Sequence, residues 1–237
     1  MIATIAEDPR ALGAALAEHL LLSADAARAR GATLRIALSG GTTPRAFYEA
    51  LASQRHRTPW STLGIYFSDE RAVPPDHPDS NFGLAQASWL RHAPRGTAIH
   101  RIPGELGAEE AARVYERVID DIPSGEAVFD IVFLGVGPDG HIASLFPGRP
   151  LTEPARVLAI PASGERCARV SLSLATLIKA RHRIVLAQGP DKAEVLRTSL
   201  APDAATPLAA LLRAAPVALW LDRAAACGLC PRPIGSD

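Results

Sequence analysis

The sequence predicts an α/β fold: a doubly wound, mainly parallel sheet flanked by helices, with a small antiparallel edge or cap element. Short apolar runs bounded by turn residues alternate with segments of helical periodicity, as expected for strands joined by helical crossovers. The run Ile131–Leu134 is too uniformly apolar for a strand with one wet face. The chain has 237 residues, of which 48% are hydrophobic and 21% charged, so one domain over residues 1–237 is expected.

The elements follow in order from the amino terminus. Met1–Ile5 alternates weakly, and Asp8-Pro9 supplies an N-cap and a first-turn proline for a helix that runs to about Arg30. Five further strands are predicted at Leu34–Leu38, Leu63–Phe67, Phe129–Leu134, Arg183–Ala187 and Val217–Leu221. The less regular pieces Ile99–Ile102 and Val157–Pro161 are predicted as edge strands or a small cap over the main sheet.

Charge and hydropathy indicate a small-molecule partner. Lys and Arg number 25, as do Asp and Glu, so no global field favours nucleic acid or a membrane surface. No apolar run reaches the roughly 20 residues of a membrane span, and the amino terminus does not resemble a secretory leader. We therefore expect a cytoplasmic protein that binds no nucleic acid or membrane, as a monomer or weak homodimer.

The three cysteines do not predict a disulfide framework or a metal site. Cys227 and Cys230 form one Cys-Gly-Leu-Cys pair near the end of the chain, and Cys167 stands alone. A zinc site needs a second pair of ligands, and a thioredoxin-like site needs a helix after its cysteines. No role is predicted for the tail pair.

The most informative segment, Phe129–Gly148, begins as a buried strand and continues into Gly135-Val-Gly-Pro-Asp-Gly-His141. In open α/β sheets, ligands bind at the carboxyl ends of the strands. A neutral imidazole takes a proton from water near pH 7, and a neighbouring carboxylate orients it. We therefore predict His141 as the catalytic base, with Asp139 beside it and Gly137 in the site.

The same glycines also match the G-x-G-x-x-G dinucleotide fingerprint, which is a competing interpretation. The fingerprint requires a helix that starts at the second glycine and an acidic residue about 20 residues on. Here Pro138 follows the second glycine, and Leu145-Phe-Pro-Gly-Arg-Pro150 shows no helix-strand unit. A nicotinamide or flavin cofactor is not expected.

A strand-to-helix loop, Leu38-Ser-Gly-Gly-Thr-Thr-Pro-Arg45, predicts an anion site. Its glycines expose backbone N–H groups, a threonine can cap the next helix, and the proline suits the first helical turn. The positive helix end would then face the crevice, although an ordinary capped turn has the same pattern. No lysine follows as in a nucleotide triphosphate loop. The predicted phosphate-binding residues of this loop are Gly40, Gly41, Thr42 and Thr43.

Two further strands end in charged residues. In Phe67-Ser-Asp-Glu-Arg71, Arg71 could grip a phosphate, while Asp69 or Glu70 could orient it or act as acid or base; a surface ion cluster is the alternative. The downstream Asp79-Ser-Asn81 predicts a capped helix start with a polar side chain in the same crevice.

The strand ending at Ala187 leads into Gly189-Pro-Asp-Lys192, which predicts another helix start. Lys192 is one of only two lysines in the chain, and an ammonium suits phosphate, although an exposed first-turn lysine is the alternative. Arg169 is a further candidate cation. Sequence leaves open whether Arg169 or Arg45 contacts phosphate.

Four motifs in this order resemble the 6-phosphogluconolactonase family, within the superfamily shared with glucosamine-6-phosphate deaminase. They are Ser39-Gly-Gly-Thr-Thr-Pro44, Phe67-Ser-Asp-Glu-Arg71 with Ser80-Asn81, Gly135–Pro147 and Gly189-Pro-Asp-Lys192. The resemblance covers nearly the whole chain and implies a modified Rossmann-like fold. It also implies hydrolysis of 6-phospho-D-glucono-1,5-lactone, the second step of the oxidative pentose phosphate pathway, without a metal or organic cofactor.

The resemblance makes His141 the proton-transfer residue, with Asp139 beside it, and places phosphate on the glycine-threonine loop, Arg71 and Lys192. Backbone N–H groups of the glycine loop would stabilise the oxyanion. The full set of predicted substrate- and phosphate-binding residues is Gly40, Gly41, Thr42, Thr43, Asp69, Arg71, Asn81, Gly137, Arg169 and Lys192.

Two other functions remain alternatives. A glucosamine-6-phosphate deaminase would resemble Asp-Gly-His-Ile-Ala-Phe-Asn-Glu-Pro, whereas this chain has Ala143-Ser-Leu-Phe-Pro147 and lacks the glutamate. A sugar-phosphate sensor would keep the phosphate loops without catalysis, and the intact Asp139 and His141 argue against it. A serine hydrolase is excluded because no G-x-S-x-G elbow is present.

Overall fold

The computed structural model describes residues 2–122 and 127–229. The strands in this part of the chain are β1 (Ile2–Ala6), β2 (Leu34–Leu38), β3 (Leu63–Phe67), β4 (Asp69–Arg71), β5 (Ala98–Ile99), β6 (Ile131–Gly135), β7 (Val157–Ile160), β8 (Arg169–Leu172), β9 (His182–Ala187) and β10 (Ala218–Asp222). The α-helices are α1 (Pro9–Ala29), α2 (Arg45–Ser53), α3 (Asn81–Ser88), α4 (Ala108–Asp120), α5 (Leu174–Ile178), α6 (Asp191–Ser199), α7 (Pro207–Ala214) and α8 (Arg223–Ala226). The predicted α/β fold is confirmed.

Seven strands form one parallel sheet in the order β1-β10-β9-β6-β2-β3-β5. All five residues of β3 and four of the five in β6 are buried, as expected for strands covered on both faces. The chain builds outward from β2 through β3 to β5, then returns to the other side of β2 with β6. The direction of winding therefore reverses between β2 and β6, where open α/β sheets form their ligand crevice.

The local sequence of α1 accounts for where this helix begins and for how closely it packs against α2. The Asp8 carboxylate accepts a hydrogen bond from the Ala11 N–H at 2.7 Å, and Pro9 occupies the first turn, as predicted. At Gly13 a Cβ would lie 2.5 Å from the backbone of Ala46, so only glycine lets α1 pack this closely against α2. No helix within the described ranges is long and apolar enough to cross a membrane.

A second, antiparallel sheet of three strands lies in the order β4-β8-β7. It contains the expected cap strand as Val157–Ile160, while Ala98–Ile99 forms an edge strand of the main sheet beside β3. The segment Asp69–Arg71, predicted as part of a loop, is a strand. It pairs with Arg169–Leu172, so Arg71 lies opposite Arg169 in the register.

The carboxyl end of β3 is held by a buried tyrosine of α4. The Tyr115 hydroxyl accepts from the Phe67 N–H at 2.9 Å and donates to the Phe67 carbonyl at 3.0 Å. These bonds satisfy backbone groups at a point where β5 has already ended. The last residue of β3 is thereby fixed before the chain enters the crevice.

Candidate active site

A cleft lies at the carboxyl ends of β2, β3 and β6, at the reversal of strand order. It brings together residues from both sheets and from the starts of α3 and α6. Its lining consists of Ser39, Gly40, Gly41, Thr42, Thr43, Asp69, Arg71, Asn81, Gly135, Val136, Gly137, His141, Ala143, Arg169 and Lys192. Every predicted site residue is in this set except Asp139, which lies behind His141.

Asp139 and His141 form a tightly coupled pair. His141 Nδ1 lies 2.5 Å from Asp139 Oδ1, and the same oxygen accepts from the His141 backbone N–H at 3.2 Å. Because an ionised carboxylate only accepts hydrogen bonds, Nδ1 carries the hydrogen that binds Asp139, and in the neutral imidazole Nε2 then presents a lone pair. Burial raises the pKa of Asp139, but the hydrogen bonds and charge of His141 outweigh burial and hold the pKa below its usual range.

The turn before the histidine is built around its ring. A Cβ at Gly137 would lie 2.0 Å from His141 Cε1 and Nδ1, so the ring occupies the space that a side chain would need. Gly140 has φ +80°, and Ala143 holds a left-handed backbone at φ 48° despite its side chain. The loop is therefore shaped to place the imidazole at the cleft.

The cleft is also lined by a buried carboxylate, that of Asp69. Asp69 Oδ2 accepts from the Ser144 hydroxyl at 2.7 Å, and Asp69 Oδ1 accepts from Asn81 Nδ2 at 3.2 Å. Ser144 has no chemical signal in the sequence pattern, yet it ties the histidine loop to β4. Asp69 is thus fixed in orientation where it lines the cleft.

The Glu70 side chain is buried away from the cleft, and its carboxylate binds backbone and side-chain donors, most of them at the start of α3. Glu70 is 2% exposed and does not line the cleft, so of the two predicted alternatives Asp69, not Glu70, is placed to act as acid or base on a ligand there. Burial raises the pKa of Glu70, although its hydrogen bonds oppose the shift. Its donors are the N–H groups of Arg71, Asn81 and Phe82 and the hydroxyl of Ser80.

Arg71, Arg169 and Lys192 give the cleft a positive wall. Arg71 Nη1 donates to Asn81 Oδ1 at 2.9 Å. Burial lowers the pKa of Arg169, and the charge of Arg71 adds to the effect. The Nε atoms of both arginines are buried without a hydrogen-bond partner among the described residues. The two guanidinium groups repel each other, and each has an unused N–H donor held partly out of water. A bound anion such as phosphate would offset the repulsion and accept these hydrogen bonds.

Two hydrogen bonds anchor the start of the Ser39–Pro44 loop to α2 and to the end of β6. The Tyr48 hydroxyl of α2 donates to the Ser39 carbonyl at 2.5 Å, and the Ser39 Oγ accepts from the Gly135 N–H at 3.2 Å, which joins β2 to β6. Gly41 has φ +90°, and a Cβ at Gly40 would lie 1.6 Å from Asn81 Oδ1. Gly41 is therefore required by its backbone conformation, and Gly40 is required because the Asn81 side chain occupies the space of a Cβ.

The predicted threonine cap is wrong. The residue before α2 is Pro44, with φ −76° and ψ −5°, and it makes no side-chain capping bond. Pro44 already has helical angles, and its carbonyl accepts from the Tyr48 N–H at 3.0 Å, so the helix continues from Arg45 without a side-chain cap. Thr42 and Thr43 are left to line the cleft.

Several placements do not follow from the sequence. Arg45 lines a separate cleft with His77 and Phe82, whereas Arg169 lines the main one. The lining residues Ser39, Gly135, Val136 and Ala143 are not in the predicted set of site residues, since small or apolar side chains carry little chemical signal. Cys227 is exposed, and Cys230 lies outside the described residues.

In residues 2–122 and 127–229, no group of three or more His, Cys, Asp or Glu side chains is arranged to hold a metal ion.

Comparison with known proteins identifies relatives along most of the chain. The 6-phosphogluconolactonase of Homo sapiens is 38% identical over 232 residues, covering 91% of this chain and 88% of the relative. That of Synechocystis sp. is 38% identical over 176 residues, covering 71% and 72%. The structure of 6-phosphogluconolactonase from Trypanosoma brucei superposes with a TM-score of 0.84 at 29% identity, over 97% of this chain and 98% of that one.

A family model described as glucosamine-6-phosphate isomerases/6-phosphogluconolactonase matches residues 7–220, a range that includes the cleft, the antiparallel sheet and the main sheet apart from β1 and the end of β10. Together with the relatives, this match shows that the chain belongs to the glucosamine-6-phosphate isomerase/6-phosphogluconolactonase family.

Proposed function

We propose that this protein hydrolyses 6-phospho-D-glucono-1,5-lactone to 6-phospho-D-gluconate, the second step of the oxidative pentose phosphate pathway. The observation that carries the proposal is the Asp139–His141 pair, 2.5 Å apart, beside a cleft with three cations on its wall. This pairing suits a substrate with a phosphate at one end and a hydrolysable ester at the other. The human and Synechocystis relatives carry the same activity in their names.

In the mechanism we propose, His141 acts as a general base and then as a general acid. Its Nε2 takes a proton from water as the water oxygen attacks C1 of the lactone, and the resulting oxyanion collapses with cleavage of the bond to the ring oxygen. The protonated imidazole then gives that proton to the leaving ring oxygen. Asp139 holds the tautomer and stabilises the imidazolium through Nδ1.

The two glycine loops differ in the donors that they can offer to an oxyanion or a phosphate. The Gly137 N–H bonds to the His141 carbonyl at 2.9 Å, and the Gly140 N–H bonds to the Gly137 carbonyl at 3.0 Å. These N–H groups are used within the turn. We therefore assign ligand binding by backbone N–H groups to Gly40 and Gly41.

Phosphate binding, in this proposal, positions the reacting carbon. Arg71, Arg169 and Lys192 hold the phosphate together with the Thr42-Thr43 segment, at a distance from the imidazole. Binding energy from a group that does not react is then used to orient C1 against the attacking water. Loss of a phosphate contact should therefore lower kcat as well as raise KM.

We also propose that the chain acts in the cytoplasm as a single catalytic domain, as a monomer or weak homodimer. Light scattering across a concentration series would test the oligomeric state. A tight dimer or higher oligomer at micromolar concentration would contradict it.

The test of function is lactone hydrolysis, with substrate generated in place by glucose-6-phosphate dehydrogenase and the rate corrected for spontaneous opening. We expect strong acceleration by the protein, and no ammonia release from glucosamine 6-phosphate. Ammonia release without lactone hydrolysis would indicate the deaminase. Binding of 6-phosphogluconate without turnover of either substrate would indicate the sensor.

A further inference from the structure

The carboxylate of Asp139 has a second partner besides the histidine. Its Oδ2 accepts a hydrogen bond from Arg166 Nη2 at 3.3 Å, while its Oδ1 faces His141. Arg166 lies in the turn between β7 and β8, where its backbone exchanges hydrogen bonds of 3.0 and 3.1 Å with Ser163. Both carboxylate oxygens are therefore engaged, one by the base and one by a cation from another part of the chain.

An aromatic ring fixes the position of this cation. The Arg166 guanidinium lies 4.5 Å from the centre of the Phe146 ring, and the His141 ring lies 4.7 Å from the same centre. Phe146 is 8% exposed, so both groups pack against a largely buried ring. Arg166 is half exposed, and the ion pair and the cation-π contact hold its guanidinium beside Asp139 and Phe146.

We propose that Arg166 is a positioning residue for the Asp139–His141 pair. Its bond to Oδ2 stops the carboxylate from rotating away from Nδ1. Its positive charge also partly offsets that of Asp139, so loss of Arg166 should favour protonation of the neighbouring imidazole. This role rests on the proposed function, since it concerns the same base.

Other charged groups share the site with the imidazole, so the effect of Arg166 must be separated from theirs. They are Asp139 from the histidine loop, Asp69 and Arg71 from β4, Arg169 from β8 and Lys192 from α6, while Arg166 itself lies in the turn between β7 and β8. Only Arg166 among these cations bonds to Asp139 in the described contacts.

The test compares Arg166→Gln with Arg166→Lys and with Arg149→Gln. Arg149 is the control because it lines the same surface pocket as Arg166 and Phe146. The readout is the pH profile of kcat/KM for lactone hydrolysis, in particular its acid limb, the low-pH side on which the rate falls as the base is protonated. For Arg166→Gln we expect a two- to fivefold loss and a shift of the acid limb to higher pH by roughly 0.2 to 0.7 units, because exposed ion pairs are weak. Arg166→Lys should restore the position of the acid limb.

Each outcome has a distinct meaning. An unshifted acid limb in Arg166→Gln would overturn the proposal even if the rate falls, because a purely structural role lowers the rate without changing the limb. An equal shift in Arg149→Gln would overturn it in favour of a general field effect. An inactive, folded wild type would instead refute the proposed function.

Discussion

Substitution of Gly137 by alanine should separate catalysis from binding. The new Cβ would lie 2.0 Å from His141 Cε1 and Nδ1, whereas ordinary contact begins at 3.4 Å, so the ring must retreat by at least about 1.4 Å. The backbone of Gly137 is not in the left-handed region, so alanine fits it without strain. A misplacement of about 1 Å costs about 100-fold in rate. We therefore expect kcat to fall at least about 100-fold.

The phosphate contacts lie on other loops, so KM should stay within about threefold of wild type. The assay is the coupled lactone hydrolysis, with far-ultraviolet circular dichroism to confirm folding. Gly135→Ala is the comparison variant: it also lines the cleft, but its Cβ would lie 3.6 Å from Ser39 Oγ, an ordinary contact, so kcat should fall far less than in Gly137→Ala. A folded Gly137→Ala enzyme with kcat within threefold of wild type would refute the claim that the ring position limits the rate.

Three further predictions concern the surrounding charges. Arg169→Gln should raise KM about tenfold or more because it removes a charge-assisted contact, whereas Arg45→Gln should leave KM unchanged; steady-state kinetics showing equal effects would contradict the assignment of phosphate to the main cleft. Glu70→Gln should lower the free energy of unfolding by about 1 to 3 kcal/mol, since an amide cannot accept from all four donors; a loss under 0.5 kcal/mol in urea unfolding would count against this role. The pKa of Asp139 is lowered in the folded state, so its carboxylate stabilises the protein above its unfolded pKa of about 3.9 and loses that effect as pH falls further. Asp139→Asn should accordingly be less stable than wild type at pH 6, with a gap that narrows below about pH 4; a gap independent of pH in thermal unfolding would contradict this.

The sequence predicts the main sheet well because its central strands are buried on both faces. Leu34–Leu38 and Leu63–Phe67 match β2 and β3 at both ends. Such strands are apolar at nearly every position, with Arg35 the exception in β2, and turn residues mark where they leave the core. The loops that follow them are equally visible in the sequence, since glycines and charges directly after a buried strand are typical of ligand-binding loops.

The small antiparallel sheet is harder to predict because its pairing joins distant parts of the chain. Asp69–Arg71 and Arg169–Leu172 contain charged residues at positions that look like loops, and only their mutual pairing makes them strands. The same limit applies to Ser144 and Arg166. Their roles depend on which carboxylates the fold places beside them, and no local pattern contains that information.

The measurement that tests the central claim most directly is lactone hydrolysis by wild type and His141→Asn side by side, after both are shown to be folded. The account predicts rapid hydrolysis by wild type and only the spontaneous rate with the variant, because asparagine has no basic ring nitrogen to take a proton from water. A folded His141→Asn enzyme that retains full activity would contradict the assignment of His141 as the catalytic base.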